Sequence, residues 1–392
     1  MKHDHETKHH DGWAVTNEMR LSLKQWVMVL VIVALVAIIT PWLWRHLEPF
    51  ETGVDYRIPY ALSNDYWLFD WRLQKTVATK PIVVLGDSVV WGEFVKSDGT
   101  LPHFLNREGG QPDRFVNAGV NGLFPLALEG LVRHYGTSLH GRKVMVVCNV
   151  LWLSSPKADL QDDKADVQNH AELVPQFFPR IPGYQADASA RLSAVIGRNS
   201  GLFGWANHLQ DAYFQQRSIP QWTLKEDPDR PRCYPNSCKN PLTQITLTAP
   251  SGQSDDAARG PGSGRHQPWS ARGTRKAEFE WVNLDSSLQW AAFQRTVGLL
   301  RDRGNEVMII VAPFNAHLMA DSSRGGFQAI QTGISGWLDE NRVPHVMPDT
   351  LPSDLYADPS HPLTEGYETL AKRIWQTEEF QSWLQGEPGH GK

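Results

Sequence analysis

Cysteine is scarce in this chain of 392 residues, which contains only three. Cys148 lies in an apolar run, whereas Cys233 and Cys238 flank a Tyr-Pro-Asn-Ser loop. Because structural zinc sites use four ligands, two neighbouring thiols make a metal site the weaker interpretation of this pair. In an oxidising compartment the same pair can form a small disulfide, which is the interpretation we favour. We therefore predict neither a metal nor a cofactor.

The chain also lacks an excess of basic residues. It has 38 lysines and arginines against 43 aspartates and glutamates, which gives a net charge of -5. Nucleic-acid-binding domains normally carry a basic face, so this balance argues against a nucleic-acid partner. The length is sufficient for one large core with insertions.

One long run, Trp26 to Trp44, has no charged residue at all. Roughly 20 apolar residues cross the hydrocarbon core of a bilayer as a helix, and this run has that length. Tryptophans stand at both of its ends, where aromatic belts lie in membrane proteins. The run is longer than the apolar part of a secretory signal, and no small-x-small cleavage site follows it. We therefore predict a retained transmembrane signal anchor.

The distribution of basic residues around the anchor predicts its orientation. Four basic residues precede it: Lys2, Lys8, Arg20 and Lys24. The nearest ones after it are Arg45 and Arg57. The positive-inside rule then places the tail in the cytoplasm and the remainder of the chain outside. The expected location is the cytoplasmic (inner) membrane, crossed once, with an extracytoplasmic or periplasmic domain.

Beyond the anchor, short apolar runs alternate with helical patterns. The predicted strands are Ile82 to Leu85, Phe115 to Val116, Lys143 to Cys148, Glu306 to Ala312 and Val343 to Met347. This rhythm indicates βαβ units and predicts an α/β fold with a doubly wound parallel sheet in three layers. Residues 157–285 break the rhythm with prolines, glycines and charges, which is typical of a long, partly disordered insertion.

The predicted organisation has seven segments. They are a cytoplasmic tail (1–25), the transmembrane anchor (26–44), a membrane-proximal segment that packs onto the domain (45–80), the first part of the α/β domain (81–156), the insertion (157–285), the second part of the domain (286–380) and a C-terminal tail (381–392).

A Gly86-Asp87-Ser88 turn follows the first predicted strand directly. Open α/β sheets bind ligands beyond the carboxyl ends of their strands, which is where this serine would lie. Backbone N–H groups of a following helical turn would favour a developing oxyanion there. Aspartate and serine also commonly cap helices, so the turn taken alone leaves capping open.

A histidine near the end of the chain can supply the base that a serine nucleophile needs. His361 opens a predicted helix, and Asp358 precedes it by three residues. Histidine accepts protons near neutral pH, and a neighbouring carboxylate can orient its ring. Together with Ser88, these residues predict a Ser–His–Asp catalytic triad.

Four further residues are candidates for contact with a substrate. Asn315 and His317 follow a predicted strand, where a plain polar loop is the equally good alternative. Trp91 and Trp152 are candidate walls of the site, although most of the 16 tryptophans are expected in the core or at interfaces.

The motifs resemble those of a known superfamily. Residues 86–92, Gly-Asp-Ser-Val-Val-Trp-Gly, resemble the first block of the SGNH (GDSL-type) hydrolases. Asp358-x-x-His361-Pro resembles their last block, and residues 117–122, Asn-Ala-Gly-Val-Asn-Gly, are similar to the second. The resemblance implies that Gly122 donates a backbone N–H to an oxyanion.

One block of the superfamily is missing. The usual Gly-x-Asn-Asp third block does not occur, and Asn149, directly after the third strand, is the best substitute as a side-chain oxyanion donor. Asn121 is the alternative donor and a candidate substrate contact. Ser88 would contribute its own N–H to the same oxyanion.

The anchor and these departures are similar to the membrane-tethered SGNH proteins that O-acetylate extracytoplasmic polysaccharides. That resemblance implies a serine acyl-ester hydrolase or O-acetyltransferase acting on an O-acylated glycan, with a membrane-bound O-acyltransferase as a possible partner. The alternative is a non-catalytic SGNH-like module that binds glycan or organises an assembly. Ser88, Asp358 and His361 together favour chemistry, whereas the missing block favours the module.

Overall fold

The computed structural model of the protein describes most of the chain. The described residues are 21–48, 52–163, 169–214, 216–217, 245 and 253–386. Cys233 and Cys238 lie outside these ranges, so their pairing stays a prediction. Most of the predicted cytoplasmic tail lies outside them as well.

The described part of the chain alternates helices and strands. The helices are α1 (Leu23–Leu47), α2 (Tyr66–Lys75), α3 (Ser88–Trp91), α4 (Leu101–Glu108), α5 (Pro125–Tyr135), α6 (Ala188–Arg198), α7 (Gly201–Tyr213), α8 (Gln253–Ala257), α9 (Leu288–Asp302), α10 (Arg324–Glu340), α11 (Thr364–Trp375) and α12 (Glu378–Gln385). The strands are β1 (Ile82–Gly86), β2 (Phe115–Gly119), β3 (Lys143–Cys148), β4 (Glu306–Val311) and β5 (His345–Val346).

The five strands form one parallel sheet in the order β2-β1-β3-β4-β5. Successive side chains of a strand point to opposite faces, so each apolar strand supplies two cores. Val83 and Leu85 of β1 pack with α2, α5, α9 and α10, whereas Val84 packs with α4, α11 and α12 on the other face. This arrangement has the strand order and the two helical layers of a doubly wound fold, and the predicted α/β class with a parallel sheet is confirmed.

The strand order reverses once, at β1, which lies between β2 and β3. The chain leaves β1 toward β2 on one side, and later crosses back to β3 on the other side of β1. In doubly wound sheets this reversal opens a crevice at the carboxyl ends of the two strands. Ser88 follows β1 and Asn149 follows β3, so both lie at this switch point.

α1 is the most apolar element of the described chain. It has 25 residues and spans about 37 Å at 1.5 Å per residue, which makes it long and apolar enough to cross a membrane. A capping box between Ser22 and Gln25 begins it, and Pro41 is its only buried residue. Its C-terminal end packs against α7.

A cluster of charged side chains, the anchor cluster, joins the end of α1 to the domain. It consists of Glu48 after α1, Asp65 at the N-cap of α2 and His208 on α7, all fully buried as side chains. The His208 Nδ1 atom lies 2.7 Å from Asp65 Oδ2, and its Nε2 atom lies 3.0 Å from Glu48 Oε2. Burial lowers the pKa of His208, but the two carboxylates outweigh burial and raise that pKa to about 9.

The anchor cluster predicts a loss of stability in alkaline solution. A raised histidine pKa adds stability that is complete below about pH 6.5 and disappears as the pH rises through about 9. We expect the free energy of unfolding of the detergent-solubilised chain to fall by up to about 1.4 kcal/mol per pH unit between pH 7.5 and 9. Asp211, whose pKa is raised by burial to about 7, is mostly ionised in this window.

The check is denaturant unfolding of the wild type and of two variants across that window. His317→Gln replaces an exposed histidine and should keep the alkaline decline, whereas His208→Gln should flatten it. An equal decline in His208→Gln would show that other groups cause it.

Candidate active site

Ser88 occupies the first position of α3, directly beyond the end of β1. Asp87 caps this short helix, because its Oδ1 atom accepts the Val89 N–H at 2.9 Å. Every other residue from 81 to 90 is buried, and Ser88 alone is partly exposed. The Asp-Ser pair therefore does both things considered from the sequence: Asp87 caps the helix, and the cap presents the serine hydroxyl to the crevice.

Close backbone packing holds this turn in place. A Cβ atom on Gly119, at the end of β2, would lie 2.3 Å from the Trp91 nitrogen, so only glycine allows β2 and α3 to approach this closely. Asn117 donates from its amide to the Val90 carbonyl at 2.8 Å. On the other side, the Tyr367 hydroxyl of α11 donates to the Val89 carbonyl at 2.7 Å. Residues from both halves of the domain thus donate hydrogen bonds to the turn that carries Ser88.

The loop before α11 brings the predicted base to the serine. His361 Nε2 lies 2.7 Å from Ser88 Oγ, although 273 positions separate the two residues. The Nδ1 atom of the same ring lies 2.8 Å from both carboxylate oxygens of Asp358. These are the distances and the order of contacts that activate a serine through a histidine oriented by a carboxylate.

Asp358 is itself held in a single orientation. Its Oδ1 atom accepts the backbone N–H groups of Ser360 and His361, each at 2.9 Å. The Asn315 amide donates to the Asp358 carbonyl at 3.1 Å, and the Asn315 N–H donates to the Pro359 carbonyl at 2.8 Å. Asn315 lies just beyond β4, so the end of the sheet fixes the loop that carries Asp358 and His361.

The charges of the pair favour an ionised carboxylate beside a basic imidazole. Burial raises the pKa of Asp358, but His361 and three hydrogen bonds outweigh burial and the net pKa is lowered. Burial lowers the pKa of His361, but Asp358 and, more weakly, Asp87 and Glu93 outweigh it and the net pKa is raised above 6.5. His361 is therefore a stronger base than a free histidine.

Two backbone N–H groups in the turns beyond β1 and β2 donate no hydrogen bond within the described residues. They belong to Ser88, at the start of α3, and to Gly122, in the turn after β2. Gly122 has a φ angle of +75°, a conformation that side chains other than glycine rarely adopt. These are the two groups that the resemblance assigns to an oxyanion.

Asn149 is fully buried beside the serine turn. Its Nδ2 atom donates to Asp87 Oδ2 at 2.7 Å, and its Oδ1 atom accepts the Leu151 N–H at 3.0 Å. The Trp152 indole donates to the same Asp87 oxygen at 3.1 Å. Since an amide nitrogen carries two hydrogens, one N–H of Asn149 makes no further hydrogen bond within the described residues.

Removal of the Asn149 side chain is the direct test of a third oxyanion donor. We expect Asn149→Ala to lower kcat for an activated acetyl ester about 100- to 1000-fold with little change in KM, because the donor acts on the transition state. The matched variant is Trp152→Phe, which removes the other side-chain donor to Asp87 and leaves the amide in place.

We expect Trp152→Phe to lose much less activity than Asn149→Ala, because the Asn149 amide still donates to Asp87 in this variant. Equal losses in the two variants would mean that both act by orienting Asp87. The donor would then lie elsewhere, with Asn121→Ala as the next variant to measure.

The two tryptophans predicted as site walls are both buried. Trp91 is 1 % exposed, its indole donates to the Ile58 carbonyl at 2.6 Å, and Arg57 and Arg259 lie over its ring. Trp152 is 3 % exposed and holds Asp87. Both tryptophans therefore pack in the core next to the serine turn, and almost none of their surface is accessible to a substrate.

The three polar candidates are placed differently from one another. Asn121 is partly exposed, and its amide donates to Glu93, close to the serine turn. Asn315 is fully buried and holds the Asp358 loop. His317 is exposed, and its Nε2 atom bonds to the Leu351 carbonyl at 3.0 Å, apart from the triad.

Two residues that the sequence analysis did not assign to the site contact its elements. The Phe94 ring, on the turn after α3, packs edge-on against the His361 ring with 5.6 Å between centroids, and it is only partly buried. Arg57 donates to the carbonyls of Trp91, Gly92 and Val95 from the membrane-proximal segment, which ties that segment to α3. Neither belongs to a motif, and no sequence pattern marks them.

Comparison with known protein families and curated proteins found no match. No model of a known protein family matches the chain, and no curated protein matches it in sequence. The site is therefore interpreted from its own geometry.

Proposed function

We propose that the protein is a membrane-anchored serine acyl-ester hydrolase or O-acyltransferase of the SGNH type. The observation that carries this proposal is the contact chain from Ser88 Oγ through the His361 ring to Asp358, with distances of 2.7 and 2.8 Å. Nucleophilic catalysis explains why a serine, a histidine and an aspartate contact one another in this order at the switch point of the sheet. The packing of the fold does not require these contacts. Helix capping alone would not require the Ser88–His361 contact.

The first half-reaction would form an acyl-enzyme. Ser88 Oγ attacks the ester carbonyl while His361 Nε2 accepts its proton, and Asp358 stabilises the resulting imidazolium. The negative oxygen of the tetrahedral intermediate lies among the N–H groups of Ser88 and Gly122 and the amide of Asn149. Collapse of the intermediate releases the alcohol, which takes the proton from His361.

The second half-reaction would reverse this sequence with a different acceptor. His361 removes a proton from water or from a sugar hydroxyl, and that oxygen attacks the acyl-enzyme. Water gives hydrolysis, whereas a sugar hydroxyl gives transfer of the acyl group to a glycan. The resemblance to the membrane-tethered SGNH proteins favours an extracytoplasmic polysaccharide as the acceptor or substrate, and a membrane-bound O-acyltransferase as the source of acyl groups.

The proposed location follows from the helix and the charges around it. α1 is long and apolar enough to cross a membrane once. The excess of basic residues before it favours a cytoplasmic tail and an extracytoplasmic domain. Protease added to intact spheroplasts should then digest the bulk of the chain, and removal of only the first few residues would reverse the assigned orientation.

A serine-directed fluorophosphonate separates an enzyme from a non-catalytic binding module. We expect the full chain in detergent to react at Ser88, with the adduct located by peptide mass spectrometry. His361→Ala should abolish labelling, since the serine loses its base. Ser360→Ala is the matched control, because it removes a neighbouring hydroxyl and should leave labelling intact. An unlabelled wild-type chain would favour the non-catalytic module.

A further inference from the structure

The insertion carries an exposed apolar surface that the proposed reaction does not use. This surface, the insertion patch, consists of five side chains with high exposed fractions: Phe177 (48 %), Phe178 (91 %), Leu192 (53 %), Ile196 (47 %) and Phe203 (49 %). Single exposed apolar residues are common on proteins, but these five lie on segments that contact one another, because Arg191 of α6 donates to the Gln176 carbonyl and α6 packs on α7.

α6 is the centre of the insertion patch. It has eleven residues, none of which is buried against the described part of the chain. Leu192 and Ile196 are four residues apart and therefore share one face of the helix. The face of α6 that carries Leu192 and Ile196 is therefore exposed, although another side of the helix packs on α7.

Polar contacts hold α6 in a defined position despite its exposed apolar face. Asp187 caps it by accepting the Ala190 N–H at 2.7 Å. The Arg191 guanidinium donates to the carbonyls of Ala186 and Tyr184 at 3.0 and 2.8 Å. The apolar face of α6 is thus presented by a helix fixed to the domain.

The insertion patch is connected to α1 through α7. α6 packs on α7, and α7 packs on the C-terminal end of α1. The Tyr213 hydroxyl donates to Glu48, while the Trp205 ring lies 6.0 Å from the Trp44 ring. The Trp44 ring also lies 6.3 Å from the Tyr213 ring, so residues from both ends of α7 lie beside the C-terminal end of α1.

Phe203 of the insertion patch lies near the start of α7. It precedes Trp205 on α7, and Trp44 is the last residue of the uncharged run in α1. Pro41, the only buried residue of α1, lies one turn before Trp44, about 4.5 Å deeper along the helix axis. The Trp205 ring therefore lies beside the end of the uncharged run of α1.

The anchor cluster makes this placement rigid. Glu48, Asp65 and His208 connect α1, α2 and α7 through buried hydrogen bonds, so the domain cannot swing freely about the end of α1. With α1 across the bilayer, the insertion is held against the membrane surface.

We infer that the insertion patch lies in the lipid leaflet at the C-terminal end of α1, as a second point of membrane attachment. Interfacial amphipathic helices bury an apolar face about 5–10 Å into the boundary between headgroups and acyl chains. Phe178 and Ile196 would reach that depth, and the exposed Arg180 would meet the headgroups. This inference requires α1 in a membrane but does not depend on the reaction at Ser88.

Nitroxide labels on the full chain in lipid nanodiscs test the inference. Cys233→Ser and Cys238→Ser provide the background, since Cys148 is buried. Labels are attached at Phe178→Cys and Ile196→Cys, and at Gln328→Cys on the exposed face of α10 as the matched control. Collision rates with oxygen, which concentrates in lipid, and with a water-soluble nickel chelate are then compared.

We expect the ratio of oxygen to nickel collisions at positions 178 and 196 to exceed the ratio at position 328 several-fold. Ratios equal to the control at both positions would place the patch in water and overturn the inference. Low collision rates with both reagents would mean that protein covers the patch, either from this chain or from a second copy. That result would overturn the inference as well.

Discussion

Ser88→Ala should lower turnover of an activated acetyl ester by about 10⁶-fold, the scale of loss when a triad nucleophile is removed. The reason is geometric: within the described residues, Ser88 Oγ is the hydroxyl that lies 2.7 Å from His361 Nε2. Without it, no acyl-enzyme can form, and only weak catalysis by the oxyanion donors remains. The measurement is kcat for the purified full chain in detergent, with quantification of trapped acetyl-enzyme by intact mass.

Ser360→Ala serves as the control for this prediction. Its hydroxyl lies 3.4 Å from His361 Nδ1, on the side of the ring that faces Asp358, so its loss should cost far less. Both variants should unfold at the temperature of the wild type, since neither side chain fills a large space. Undiminished turnover in Ser88→Ala would falsify the enzymatic interpretation of the site.

Asp358→Asn should lower kcat by about 10⁴-fold, as the equivalent change does in serine-protease triads. The asparagine keeps the shape of the side chain but cannot stabilise the imidazolium or impose the tautomer that accepts a proton from Ser88. In the wild type, kcat/KM should rise with pH through an apparent pKa above 6.5, because only neutral His361 acts as a base. In Asp358→Asn this apparent pKa should move down, because the carboxylate that raises it is gone.

The matched control is Asp354→Asn, which neutralises an exposed carboxylate four residues earlier on the same loop. It should keep both the turnover and the pH profile of the wild type. If Asp358→Asn kept the wild-type pH profile, another carboxylate would be orienting His361. Asp87 and Glu93 would then be the next candidates, because both act on the charge of this ring.

The sheet and the long apolar helix were predictable because their signals are local. β-branched runs such as Ile82 to Leu85 stop at turn residues, and the uncharged run ending at Trp44 is as long as a bilayer is thick. Lys143–Cys148 agrees with the prediction at both ends, whereas the last strand is only His345–Val346. Strand ends are hard to predict because partner strands, and not propensity, decide where a ladder stops.

The roles of buried polar residues were much less predictable. Asn315 was considered as a substrate contact, yet it is fully buried and holds the Asp358 loop. Trp91 was considered as a wall of the site, yet it lies in the core beneath Arg57. A residue beyond the end of a strand can point into the crevice or brace a neighbouring loop, and the two outcomes have the same sequence pattern.

The sequence by itself determined which elements and groups are available: a parallel sheet, a serine after its first strand, an Asp-x-x-His motif near the end, and a long apolar helix before them all. Only the tertiary structure decided which of these groups meet. The contact between Ser88 and His361 bridges 273 positions, and the contact between Glu48 and His208 bridges 160. Such contacts depend on strand order and helix packing, which are set by the whole core, whereas a sequence pattern reports only on neighbours along the chain.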